Sequence, residues 1–246
     1  MQRLLSIAAV TTVCIACGET KNGGTPGAGT PAERPTTSEA VPEVASSGPS
    51  VRTGGPRVLF VGTSLTAGLG LDPDSAYPAL VARKAEAAGT PFELTNAGVS
   101  GETSAGALRR IDWLVKEPVD VVVIETGAND GLRGVDPDST AANLRAIIAR
   151  VRAAQPAASV ALVQMEAPTN LGATYTSRFH AVFPAIAKET GVTLMPFLLD
   201  GVAGVASLNQ ADGIHPNEEG ARRVATTVWG ALAPLVRSPP SRGQSP

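Results

Sequence analysis

Cysteine and histidine are nearly missing from this chain, with two of each among 246 residues. Both cysteines, Cys14 and Cys17, stand at the N-terminal end. The rest of the chain therefore has no disulfide, no zinc–cysteine cluster and no cysteine nucleophile. Aromatic residues make up only 4% and charged residues 17%, with a formal net charge of −2. That balance lacks the basic footprint and stacking surface that nucleic-acid binding demands. Past the first residues no run is apolar enough for a transmembrane helix. No group of ligands has metal spacing, so neither metal nor cofactor is implied. Any chemistry must rest on serine, asparagine, carboxylates and two histidines.

What is present divides into unequal parts. Residues 1–17, MQRLLSIAAVTTVCIAC, carry one basic residue and an apolar stretch too short to span a bilayer, which reads as a secretory signal. Its ending, CIACG, resembles a bacterial lipobox with Ala16 before an acceptor Cys17, although Cys14 stands where that pattern prefers leucine. Cleavage near Ala16 without lipidation is the alternative. The lipid-anchored form is preferred because residues 18–56, rich in Gly, Pro, Ser and Thr, suit a disordered tether. The expected location is the periplasm or cell envelope, with membrane contact only through that anchor. A second unstructured end covers 237–246. The span between, 57–236, is about the size of one domain.

Within it, short apolar runs alternate with longer segments of helical period. The runs are 57–62, 92–98, 119–127, 158–165 and 192–197; the helical segments are 74–89, 103–116, 138–153, 173–190 and 216–236. This alternation predicts βαβ units and a parallel sheet, a single doubly wound α/β domain. VLFV and VVVI are continuous apolar runs, as strands covered on both faces should be. Ligands bind such sheets at the carboxyl ends of the strands, and the residues there carry the chemistry. Gly62-Thr63-Ser64 follows the first run and NAGVSGET (96–103) the second. TGAND (126–130) follows the third, and DGIHPN (212–217) follows the fifth past a loop.

Each post-strand residue has an ordinary reading beside the functional one. Ser64 caps a helix or acts as a nucleophile. His215 lies in a polar turn, or is a base whose Nδ1–H is held by Asp212 three residues earlier. Pro216 is expected at the first position of the final helix. Gly101 and Asn129 are turn residues, or they join the Ser64 N–H as oxyanion donors. His180, beside Phe179, Val182, Phe183 and Ile186, reads as a helix-surface residue without a role. The pairing of a post-strand serine with a carboxylate-backed histidine favours the functional set.

GTSLTAG, NAGVSGETS, TGANDGLRG and DGIHPN together resemble the four blocks of the SGNH (GDSL-type) hydrolases, in order, across 57–236. The likeness is closest to the bacterial thioesterase, lysophospholipase and arylesterase branch. The resemblance implies a flavodoxin-like, three-layer fold with five parallel strands in order 2-1-3-4-5. It also implies Ser64 as nucleophile, Asp212 and His215 as acid and base, and Ser64, Gly101 and Asn129 as the oxyanion hole. Thr63 replaces the family's aspartate, for which a changed local hydrogen bond is expected without loss of activity. Ala128 replaces a glycine and is expected to stiffen or crowd the Asn129 loop.

The implied activity is hydrolysis of aryl or short acyl esters, extending to thioesters and lysophospholipids, by a monomer. Leu65, Leu69, Leu71, Leu132 and residues 166–175 are candidates for an acyl pocket or ordinary packing. The alternatives are a polysaccharide deacetylase or transacylase, distinguished by which hydroxyl resolves the acyl-enzyme, and a non-catalytic small-molecule or glycan-binding module. The four retained blocks argue against the last. A phosphate site is disfavoured because the first loop lacks the required glycines.

Overall fold

The structure is a computed structural model that describes residues 54–238. The expected secretory signal with Cys17, all but the last three residues of the tether, and the tail beyond Ser238 lie outside the described residues.

Five strands form one parallel sheet: β1 (Arg57–Gly62), β2 (Glu93–Gly98), β3 (Val121–Ile124), β4 (Ser159–Gln164) and β5 (Thr193–Phe197). Their spatial order is 2-1-3-4-5, as the family resemblance implies. β3 is shorter than its apolar run. Pairing with β1 nonetheless continues at both ends, because Asp120 N–H donates to Arg57 O at 2.9 Å and Glu125 N–H to Val61 O at 2.8 Å. Val121–Ile124 are fully covered and Val58–Val61 nearly so, since helices shield both faces.

Five long helices provide that cover and two short ones bear on the site. They are α1 (Ser64–Ala67), α2 (Tyr77–Ala87), α3 (Ser104–Leu114), α4 (Ala128–Leu132), α5 (Pro137–Ala154), α6 (Ala173–Thr190) and α7 (Glu218–Arg237). α2 packs with α7, while α3, α5 and α6 pack in a row. Right-handed crossovers from a reversing strand order place those two groups on opposite faces, giving three layers. Tyr175, Phe179 and Phe183 run down α6 as an aromatic ladder, with ring centroids 6.1 and 5.5 Å apart. Phe179 and Phe183 are wholly buried, and such side chains contribute about 1.5–3 kcal/mol each.

Pro216 does not begin the last helix as expected. It forms an isolated antiparallel bridge with Asn209. Asn217 is the cap instead, its Oδ1 accepting from Gly220 N–H at 3.1 Å, with Glu218 and Glu219 in the first turn. An amide side chain satisfies an orphan helix N–H, and carboxylates suit the positive end of the helix dipole. α7 runs to Arg237, one residue beyond the expected domain limit.

Candidate active site

β1 delivers the chain to the carboxyl edge of the sheet, where it turns into α1. Thr63 is the cap, in extended conformation, and Ser64 is the first helical residue. The first N–H groups of a helix lack intrahelical partners, so the Ser64 N–H is available as a donor. The approach here is close. A Cβ on Gly62 would lie 2.0 Å from Thr66 Oγ1 and 2.7 Å from Glu125 Oε2, so only glycine fits.

The loop between β5 and α7 brings His215 across 151 residues of sequence to meet this turn. Several contacts hold that loop. Asn209 Nδ2 donates to the carbonyls of Val202 and Val205, and Gln210 N–H donates to His215 O at 2.7 Å. Gln210 Nε2 reaches Leu69 O at 2.7 Å, tying the histidine loop to the chain just past the serine. His215 Nε2 consequently lies 2.8 Å from Ser64 Oγ, and His215 Nδ1 lies 2.5 Å from Asp212 Oδ2. Asp212 Oδ1 accepts the backbone N–H of Ile214 at 2.9 Å and of His215 at 3.0 Å. The bonds from the His215 backbone and ring, then that from Ile214, favour the ionised carboxyl and hold its pKa down at about 2. A carboxylate so placed selects the Nδ1–H tautomer and leaves Nε2 as acceptor of the serine proton.

The oxyanion candidates come from the loops after β2 and β3, on the same sheet edge. Gly101 has φ +77°, a left-handed conformation that side-chain-bearing residues rarely adopt. Its carbonyl accepts from Arg133 at 2.9 Å. Asn129, in the first turn of α4, donates from Nδ2 to Glu102 O at 3.0 Å, so the two loops are bonded to each other. The amide has two N–H groups, and this bond uses one. Buried Asp130 reinforces the join, its carboxylate accepting from Ser104 N–H at 2.8 Å and Ser104 Oγ at 2.5 Å. Ala128 is half-buried and lines the neighbouring cavity.

That cavity measures about 590 Å³. Its walls include the chain neighbours of three site residues: Leu65 beside Ser64, Ala128 beside Asn129, and Ile214 beside His215. Leu132, Met165 and Phe197 add apolar surface, and Glu166 a polar wall. Of the expected pocket residues, Leu65, Leu132 and 166–170 line it. Leu69 and Leu71 do not; they line a narrow apolar crevice of about 10 Å³ whose walls also include Ser64, His215 and Leu65. His180 stands on the surface with Nδ1 2.7 Å from Glu166 Oε1.

Sequence reasoning passed over two buried carboxyls, Asp130 and Glu125. Glu125 follows VVVI directly and is fully inaccessible. A charged side chain closing an apolar run between two covered faces was the available signal. Burial raises its pKa to about 7 against the hydrogen bonds from Thr63 and Thr66 that favour the anion. Among the described residues no group of three or more His, Cys, Asp or Glu could hold a metal ion.

A serine hydroxyl, an imidazole and a carboxylate hydrogen-bonded in series at the active edge of a doubly wound sheet define a serine-hydrolase type of site. The chain belongs to the GDSL-like lipase/acylhydrolase family, whose model matches residues 60–223. It is similar to Esterase TesA of Pseudomonas aeruginosa, at 40% identity over 180 residues covering 73% of this chain and 89% of that protein. It is 38% identical over 180 residues to Thioesterase 1/protease 1/lysophospholipase L1 of Escherichia coli K12, covering 73% and 84%. Among solved structures, the psychrotrophic esterase EstA from Pseudoalteromonas sp., inhibited by monoethylphosphonate, matches with a TM-score of 0.70. It is 34% identical, and the match covers 74% of this chain and 99% of that one.

Proposed function

We propose that the protein hydrolyses carboxylic esters through an acyl-enzyme on Ser64. One observation carries this reading: the unbroken series from Ser64 Oγ to His215 Nε2 at 2.8 Å and from His215 Nδ1 to Asp212 Oδ2 at 2.5 Å. Ser64 Oγ bonds to the ester carbonyl carbon as its proton passes to His215 Nε2. The carbonyl oxygen becomes an oxyanion held by the N–H groups of Ser64 and Gly101 and by Asn129 Nδ2. Collapse breaks the bond to the leaving group, which takes the proton from His215. Water then attacks the acyl-enzyme, giving its proton to His215, and the second collapse returns that proton to Ser64 and releases the acid. The steps use side chains, backbone and water, with no cofactor. Asp212 stays ionised throughout and stabilises the imidazolium.

The apolar cavity beside Leu65 and Ile214 accommodates the acyl or aryl part. The name of one relative supports thioesters and lysophospholipids as further substrates, and we propose that the protein acts as a monomer. We place the protein outside the cytoplasm, held by a lipid on Cys17. Loss of membrane association in a Cys17→Ser protein checks that placement.

The functional test is fluorophosphonate labelling followed by mass mapping, with Ser64→Ala and His215→Ala alongside. Labelling at Ser64 that both substitutions abolish supports the mechanism. A folded parent that resists the label rules it out.

A further inference from the structure

No step above uses Glu125, yet the Ser64 turn is fastened to it from both sides. Thr63 N–H donates to Glu125 Oε2 at 2.9 Å, and Thr63 Oγ1 lies 3.1 Å from both carboxyl oxygens. Thr66 Oγ1 donates to Oε2 at 2.7 Å and lies 2.8 Å from the buried Tyr77 hydroxyl. Thr63 immediately precedes the serine and Thr66 follows it by two positions. The contacts reach across 62 and 59 residues of sequence, so they tie α1 to the end of β3 rather than adding to local turn structure.

Burying a carboxylate is costly, and a well-packed apolar side chain in its place is often neutral or stabilising. A fold that only needed its core filled would gain nothing from a glutamate here. A carboxylate does what an apolar group cannot. In its ionised form it acts as acceptor only, and so fixes the direction of one backbone N–H and of two hydroxyls at once. The first of these fixes the Gly62–Thr63 peptide just ahead of the turn, and the Thr66 hydroxyl fixes the turn just after it, so Ser64 is aimed by anchors on both sides. Thr63, at the family's aspartate position, meets Glu125 with a donor hydroxyl instead of a second carboxylate.

We infer that Glu125 is a positioning residue for the nucleophile, its carboxylate clasping Thr63 and Thr66 so that Ser64 Oγ stays aligned on His215 Nε2 and the Ser64 N–H on the oxyanion. This inference rests on the acyl-enzyme reading of Ser64. Glutamine keeps the shape of Glu125 but sets an NH₂ group among three donors, so the clasp opens on one side.

The experiment compares Glu125→Gln, Thr63→Val and Thr63→Ser in the full-length chain. The readouts are kcat and KM on a short aryl ester, fluorophosphonate titration of active sites, and thermal melting. Glu125→Gln is expected to lower kcat per titrated site by roughly 10- to 100-fold, the scale of a sub-ångström to 1 Å misplacement, with KM within about twofold. Thr63→Val follows in the same direction, and Thr63→Ser restores the rate by restoring the hydroxyl. A folded Glu125→Gln protein with parental kcat per site overturns the inference. So does a loss confined to the number of active molecules, the survivors turning over at the parental rate. If Glu125→Gln does not fold, the threonine pair decides, and parental turnover in Thr63→Val overturns it. A parent that resists the label removes the acyl-enzyme reading and the clasp's role with it, an outcome distinct from labelled variants of normal rate.

Discussion

Replacing Asp212 by asparagine should damage the enzyme more than replacing it by alanine, for a reason visible in the hydrogen bonds. Asp212 Oδ1 is the target of two backbone N–H groups, from Ile214 at 2.9 Å and His215 at 3.0 Å. An asparagine must put its oxygen there, because its NH₂ in that place would face two donors. The NH₂ then occupies the Oδ2 position, 2.5 Å from His215 Nδ1 in the parent. Facing a donor, Nδ1 must give up its proton, and Nε2 carries it towards Ser64 Oγ. The base is lost while the geometry survives. The expected fall in kcat is on the order of 10⁴, the scale seen when a triad acid becomes its amide. Alanine opens the Nδ1 side to water and leaves the tautomer free. It removes the two backbone bonds of the loop and the bond to the ring. The ring bond, the one that bears on the base, is a hydrogen bond to a charged group worth about 1.5–3 kcal/mol, or roughly 10- to 150-fold in rate. The 45% exposure of the Asp212 side chain pulls that figure towards its lower end. The assay is kcat on a short aryl ester, corrected for active sites and folded fraction. An Asp212→Asn protein within tenfold of the parent, or an alanine variant slower than the asparagine variant, refutes tautomer selection by Asp212.

Other changes test other levels of the structure. Asn129→Ala should lower kcat by roughly 10²–10³ with little change in KM, the cost of one oxyanion donor; a loss under about tenfold removes Asn129 from that role. Phe179→Ala, in the buried aromatic ladder of α6, should cost about 3–5 kcal/mol in denaturant unfolding. A cost near zero would mean the ladder is not part of the cooperative core. Glu125 binds its proton more tightly folded than unfolded, with a pKa of about 7 against an ordinary 4.5. Its contribution to stability is therefore fully present below pH 4.5 and is lost as pH rises through about 7. Glu125→Gln should flatten that part of the stability–pH curve, and identical slopes in parent and variant would contradict the shift.

Much of the site was legible because its signals are local. The three-residue spacing of Asp212 and His215 puts a carboxylate within reach of a ring nitrogen through one turn. Ser64, Gly101 and Asn129 announced themselves by following apolar runs, since parallel strands send all their carboxyl ends to one edge. Pro216 misled because a proline before an acidic helix start looks like a first helical residue. The neighbouring asparagine made the better cap, and Pro216 was left to pair with Asn209. The leucines near Ser64 could not be sorted by composition. Leu65 borders both the large cavity and the narrow crevice, Leu69 and Leu71 the crevice alone, and apolarity does not encode direction.

The strand and helix types follow from the sequence by itself, because period 2 or continuous β-branched runs and period 3.6 are properties of neighbouring residues. So does the complement of chemical groups, since a chain with two histidines and no body cysteine leaves few routes to acyl transfer. Only the tertiary structure decided which groups meet. His215 reaches Ser64 across 151 residues, and Thr63 reaches Glu125 across 62. Such partners are chosen by sheet order and loop closure, and burial sets the charge behaviour of Glu125. Both are effects of packing from distant elements, which no local stretch of sequence contains.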